Sequence, residues 1–137
     1  RPKAHLDMIL GIETSTTHAS LALVTSLDGE SLFHAEFVSR RAHNSVIFEP
    51  VTELLEKYRK EISGIAMGLG PGSYGGVRVG ISVANGLSLV LGVPLGGVSS
   101  LEAWNTPEEN YEVLGDARRN TFFRARVRAG SLVEEPA

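Results

Sequence analysis

Two short stretches hold the residue types that chemistry on an anion requires. Glu13-Thr14-Ser15-Thr16-Thr17 sets one carboxylate beside a run of hydroxyls; hydroxyls donate to phosphate oxygens, and a carboxylate can hold a metal-bound water. The second stretch, GLGPGSYGGVRVG from Gly68 to Gly80, is dominated by glycine. Within it Gly70-Pro71-Gly72-Ser73-Tyr74-Gly75 satisfies the dinucleotide spacing G-x-G-x-x-G, between an apolar run and a helical pattern. Glycine lets the backbone approach an anion, and free N–H groups at the following helix N-terminus would face it. The candidate phosphate contacts are therefore Thr14, Ser15, Thr16, Gly70, Gly72, Ser73 and Gly75. Arg78, poorly placed for the helix dipole, argues that an anion or carboxylate lies nearby.

Other features of the same stretch point away from a nucleotide. Proline at the first x is awkward, and between Gly92 and Gly97 no acidic side chain is available to hold a ribose; Glu102 comes too late. Gly76-Val77 stands where a P-loop needs Lys followed by Ser or Thr. The competing reading is a tight strand-to-helix turn, whose glycines supply positive φ and close packing. For Glu13 to Thr17 the competing reading is a polar hairpin turn.

The remaining chemistry is sparse. The chain contains no cysteine, which removes disulfides, thiol nucleophiles and thiolate metal sites. His5, His18, His34 and His43 show no metal-ligand spacing, and no Ser-His-Asp set can be brought together from the sequence. Net charge is −3, so the whole molecule does not match a polyanion and would serve nucleic acid through a local patch or a partner. One such patch exists: Arg124, Arg126 and Arg128 alternate with Ala125, Val127 and Ala129, with Arg118 and Arg119 upstream. A solvated strand face and a contact with nucleic acid or an acidic surface both fit, and Glu134 and Glu135 weaken the second.

The elements that must position these residues follow from hydrophobic period. Residues 8–14 form a short apolar run, and 19–26 and 31–39 alternate around the Asp28-Gly29 turn signal. At Asn44, a candidate N-cap, the period becomes helical, with Ile47, Val51, Leu54, Leu55 and Tyr58 recurring to about residue 60. Pro50, beyond the first turn of that segment, is expected to bend it. Residues 62–69 read as a buried strand, 78–91 as a second helix and 93–99 as another strand. A short helix over Leu101–Trp104, capped by Ser99 or Ser100, and strands at 111–117 and 121–129 complete the chain. The order β-β-β-α-β-α-β predicts a mixed α/β sheet in one domain over 8–137. Met8 directly precedes the first apolar run and reads as the native start, with residues 1–7 an extension or vector-derived. The apolar runs are shorter than the roughly 20 residues that span a bilayer, and the first residues carry no signal-peptide core.

The second helix is apolar on nearly every side: Val79, Ile81, Val83, Leu87, Leu89, Val90 and Leu91 cover most of its circumference. Such a helix must be covered from both sides, and 137 residues barely suffice to do so internally. Ser82 and Gly86, four apart with Asn85 beside them, form a small-residue track on which another helix could lie. A protein–protein interface over Val79, Ser82, Val83, Gly86, Leu87 and Val90 is the expectation.

Taken in order, ILGIETSTTHASLAL, HNSVIFEPVTELL, GLGPGSYGGVRVGISVANGLSL, GVSSLEA and GDARRNTFF resemble the TsaB (YeaZ) family of tRNA threonylcarbamoyladenosine biosynthesis over residues 8–123. The resemblance implies an actin/Hsp70-like (ASKHA, ribonuclease H-like) fold. It also implies a subunit without catalytic activity of its own, cytoplasmic, requiring no cofactor and meeting ATP through partners. Those partners are a TsaD-like paralogue, which holds metal and ATP, and a TsaE-like ATPase. The contact with TsaD would use both helices, adding Ile47, Val51 and Leu54 to the interface; a homodimer through the same face is expected when the partner is absent. Contact with tRNA would be indirect, and no membrane is involved. Where the paralogue carries a second histidine four residues beyond His43, this chain has Ile47. The family usually has Thr at Gly75 and a Glu-Val-Tyr-like sequence at Thr121-Phe122-Phe123, and it continues into a second subdomain, so that Ala137 ends either a fragment or a short member. Two rivals remain: a truncated ASKHA phosphotransferase or ATPase using Thr14 to Thr17 and Gly70 to Gly75, and a self-associating structural domain.

Overall fold

The computed structural model describes residues 7–25, 30–38, 44–100, 110–118, 121–128 and 131–132. The chain divides into two compact units, residues 1–98 and 99–137, although no linker composition separates them. The first unit carries β1 (Met8–Glu13), β2 (His18–Thr25), β3 (Ser31–Val38), α1 (Phe48–Tyr58), β4 (Gly64–Gly68), α2 (Tyr74–Leu91) and β5 (Leu95–Val98). These form one sheet in the order β3-β2-β1-β4-β5. The first three strands pair antiparallel, while β4 joins β1 and β5 joins β4 in parallel. This is the mixed α/β sheet that the order of periods predicts, in the actin/ribonuclease H-like form that the family resemblance implies.

Register explains where the core lies. Leu10 stands opposite Leu23 on one side and Ile65 on the other, and Ile12 lies between Leu21 and Met67. Residues directly opposite point to the same face, so these side chains build one apolar surface. Val51 and Leu54 of α1 and Ala84 and Leu87 of α2 pack into the same core, which places both helices on that face. At its edge Phe33 meets Tyr58 in an edge-to-face contact, with ring centres 6.3 Å apart. Central β1 is thus the strand against which both sheet neighbours and the helical layer are set.

Two helix boundaries differ from expectation. Helical backbone does begin at Asn44, but as a 3-10 turn to Ile47, and a second 3-10 turn spans Arg59–Glu61. Pro50 is then the third residue of α1, where its missing N–H is one that the first turn leaves unpaired anyway. Its position therefore suits a helix start rather than a bend. Likewise α2 begins four residues earlier than the apolar period, because Ser73 caps it by accepting the Gly76 N–H at 3.2 Å. Gly92 ends it in the left-handed region at φ 67°, donating its N–H to the Ser88 carbonyl. The second unit carries β6 (Tyr111–Arg118), β7 (Thr121–Arg128) and β8 (Ser131–Leu132), an antiparallel sheet in that order. The Asp28-Gly29 turn, His5, His43 and the helix expected at Leu101–Trp104 lie outside the described residues.

Candidate functional site

The hydroxyl-rich turn and the glycine stretch meet each other. Thr14 and Ser15, directly after β1, are 2% and 4% exposed. The Thr14 hydroxyl donates to the Gly76 carbonyl at 2.6 Å, and the Ser73 N–H donates to the Ser15 carbonyl at 2.7 Å. The Ser15 N–H donates to Oε2 of Glu13 at 2.9 Å, and the exposed Thr16 donates to the His18 carbonyl at 3.1 Å. The polar groups expected to meet an anion thus tie the turn to itself and to the start of α2.

The glycines explain how the approach is so close. A β-carbon at Gly72 would overlap the Ser15 carbonyl, one at Gly76 the Thr14 carbonyl, and one at Gly80 the Thr14 hydroxyl oxygen. Gly70, at φ 85°, makes the turn itself. Gly72, Gly76, Gly80 and Ala84 recur every four residues, and Leu87 continues the buried side. This graded row sets the N-terminal end of α2 directly against the turn after β1, and larger buried side chains follow further along. Gly75, by contrast, faces open space. The proposed phosphate set therefore divides: Thr14, Ser15 and Gly72 lie in the seam, Ser73 caps the helix, Gly70 turns the chain, and Thr16 and Gly75 are exposed. The period-four row was the signal that would have revealed Gly76 and Gly80.

On the side of α2 away from the sheet, large apolar groups meet water: Tyr74 is 77% exposed, Leu89 84% and Val90 68%. Gly75, Arg78, Ser82, Asn85 and Gly86 are exposed with them, and their helical spacing makes one stripe. The Arg78 guanidinium lies over the Tyr74 ring, 5.4 Å from its centre, so a cation–π contact one turn back receives the charge that had suggested an anion.

The expected interface residues fall on different sides of the helices. Ile47, Val51, Leu54 and Leu87 are buried in the chain's own core, and Val79 and Val83 are half-buried against it. Of the expected interface positions, Ser82, Gly86 and Val90 face outward, beside the exposed Tyr74, Arg78 and Leu89. The apolar residues run all round the helix, so composition could not choose its buried side. By length and composition α2 could also cross a bilayer; the glycine row, Ala84 and Leu87 seat one side of it on the sheet.

Other candidates are placed as follows. His18 is exposed, His34 Nε2 lies 3.5 Å from Glu36, and no group of three potential metal ligands occurs among the described residues. In the second unit Arg126 stands opposite Glu112, Arg124 opposite Leu114 and Arg118 opposite Thr121. An acidic residue thus enters the register of the basic row, and Arg128 is exposed at its end.

Comparison with known proteins bears on the whole chain. A family model described as TsaD, tRNA N6-adenosine threonylcarbamoyltransferase, matches residues 36–132. The tRNA threonylcarbamoyladenosine biosynthesis protein TsaB of Escherichia coli is 40% identical over 96 residues, 68% of this chain and 40% of that protein. A tRNA N6-adenosine threonylcarbamoyltransferase of Carboxydothermus hydrogenoformans is 37% identical over 111 residues, 69% of this chain and 33% of that one. The chain therefore spans less than half the length of either relative. Among solved structures, YeaZ from Pseudomonas aeruginosa superimposes with a TM-score of 0.79 at 27% identity, over 96% of this chain and 66% of that one. Relatives of both names match this chain, and the YeaZ structure covers nearly all of it. The chain belongs to the TsaB (YeaZ) family.

Proposed function

We propose that this chain acts in tRNA threonylcarbamoyladenosine biosynthesis as a subunit without catalytic activity, and that it binds a TsaD-type paralogue through the outward stripe of α2. The observation that carries this reading is the exposure of Tyr74, Leu89 and Val90 on one side of a helix whose other side is seated on the sheet. Large apolar groups aligned with small ones, Gly75, Ser82 and Gly86, suit close approach of a second helix. Homodimerisation through the same stripe is the expected behaviour of the free chain. A TsaE-type ATPase would join the assembly, tRNA would be met through the partner, and the site of action would be the cytoplasm. The TsaB relative's name supports the pathway.

The nucleotide-binding alternative is weaker, because Thr14 and Ser15 direct their hydrogen bonds into the seam with α2. Titrating the chain with the TsaD-type protein of the same host tests the proposal directly. A stoichiometric complex is expected, with ATP-Mg alone giving little heat. Absence of a complex, together with ATP turnover by the isolated chain, overturns the reading in favour of an enzyme.

A further inference from the structure

The seam between the β1 turn and α2 does more than fill space. Thr14 and Gly76 are 62 positions apart in sequence, yet the Thr14 hydroxyl is buried and donates to a carbonyl in the first turn of α2. That carbonyl is also the normal acceptor for the Gly80 N–H one turn later, so the hydroxyl adds a bond from outside the helix. Directly beside it, the three atoms nearest to a β-carbon at Gly80 would all belong to Thr14: the hydroxyl oxygen by overlap, then Cβ at 3.4 Å and Cγ2 at 3.6 Å. Thr14 is thus the knob and Gly80 the hole.

We infer that Thr14 is a positioning residue that keys the rotation of α2 and thereby selects which of its residues face a partner. Successive residues of a helix are about 100° apart. Turning α2 by one position would bring Val79 or Ile81 to the place of Gly80, and either side chain would strike Thr14. One rotation therefore fits. In it Leu89, nine residues beyond Gly80, lies about 180° from the seam, with Arg78 and Ser82 about 20° to either side of that line. The stripe is outward because Thr14 is inward. The consequence for docking rests on the reading proposed above, whereas the key itself is tested without any partner.

The chain has no cysteine, so single thiols report rotation cleanly. Ser82→Cys, on the exposed side, should react with a maleimide several-fold faster than Val83→Cys, which is half-buried. Thr14→Ser keeps the hydroxyl and Thr14→Val keeps the volume, and both should largely preserve that contrast; Thr14→Ala, which removes the knob, should shrink it at least about twofold, below the melting range of each variant. A melting cycle gives a second, independent test. Gly80→Ala should lower Tm, and Thr14→Ala should suppress part of that loss, because the remaining contact to the residue 14 β-carbon is ordinary at 3.4 Å. Thr14→Val should not suppress it, since a methyl group takes the place of the hydroxyl. An unchanged labelling contrast in Thr14→Ala, or strict additivity of Gly80→Ala with Thr14→Ala, overturns the inference. Failure of docking alone, seen as partner binding insensitive to Leu89, leaves these results to decide the key.

Discussion

Leu89 offers the sharpest test of the docking stripe, because substitution there separates binding from folding. Fully burying a leucine contributes about 1.5–3 kcal/mol, and Leu89 is 84% exposed in the free chain. Covering it in a complex would therefore contribute about 1.3–2.5 kcal/mol, a loss of about 10- to 70-fold in affinity when it is removed. A charge placed there must also be dehydrated on binding, so this range is a floor. The free chain should scarcely notice: exposed substitutions usually shift stability by about 0.5 kcal/mol or less. Residue 89 lies in the last turn of α2, where the helix dipole disfavours Glu and favours Arg by about 0.3–1 kcal/mol. Leu89→Glu and Leu89→Arg should accordingly shift Tm in opposite directions by a few degrees while weakening the TsaD-type partner alike. Calorimetric titration at 25 °C with thermal melts of both variants measures the two effects. Binding of either variant within about twofold of the parent chain refutes the stripe as the docking surface. Leu87→Glu is not an equivalent test, since Leu87 is core and its loss acts on folding.

The two other predictions concern positions on opposite sides of the same question. Gly86 lies in α2 with open space where a β-carbon would go, so Gly86→Ala should stabilise the chain by about 1 kcal/mol and raise Tm by roughly 3–5 °C. The same methyl group should weaken helix docking; a fall in Tm would show that the position is not open. Leu54→Ala should destabilise the chain by about 2–5 kcal/mol in denaturant unfolding, because Leu54 is fully buried in the core. A loss of partner affinity without that destabilisation would restore α1 to the interface.

Much of this architecture was legible because it depends on local period. Alternation over 19–26 and 31–39 became β2 and β3, and the change to helical spacing at Asn44 became the helical segment leading into α1. The order of strands in the sheet, β3-β2-β1-β4-β5, was not legible in the same way, because it depends on pairing between distant segments. Helix ends were less legible. Ser73 caps α2 before any apolar period begins, and the first turn of that helix is Tyr-Gly-Gly-Val, whose glycines suggest a loop. In the candidate site the residue types are legible but their mutual contacts are not: the sequence offers Thr14 and the glycines separately to an anion, while the fold sets them against one another.

What the sequence by itself determined is the succession of strands and helices, and that α2 has too much apolar surface to be wetted all round. Which side of α2 is covered was left open, because Val79, Ile81, Val83, Leu87, Leu89 and Val90 give hydropathy no preferred direction. Tertiary structure made that choice through size rather than polarity. Glycine at 76 and 80, with Gly72 just before the helix, lets this side of α2 approach Thr14 and Ser15 without overlap, so Leu87 turns into the core and Leu89 to the outside. Residues 62 positions apart made the decision, and no local window of the sequence contains both of them.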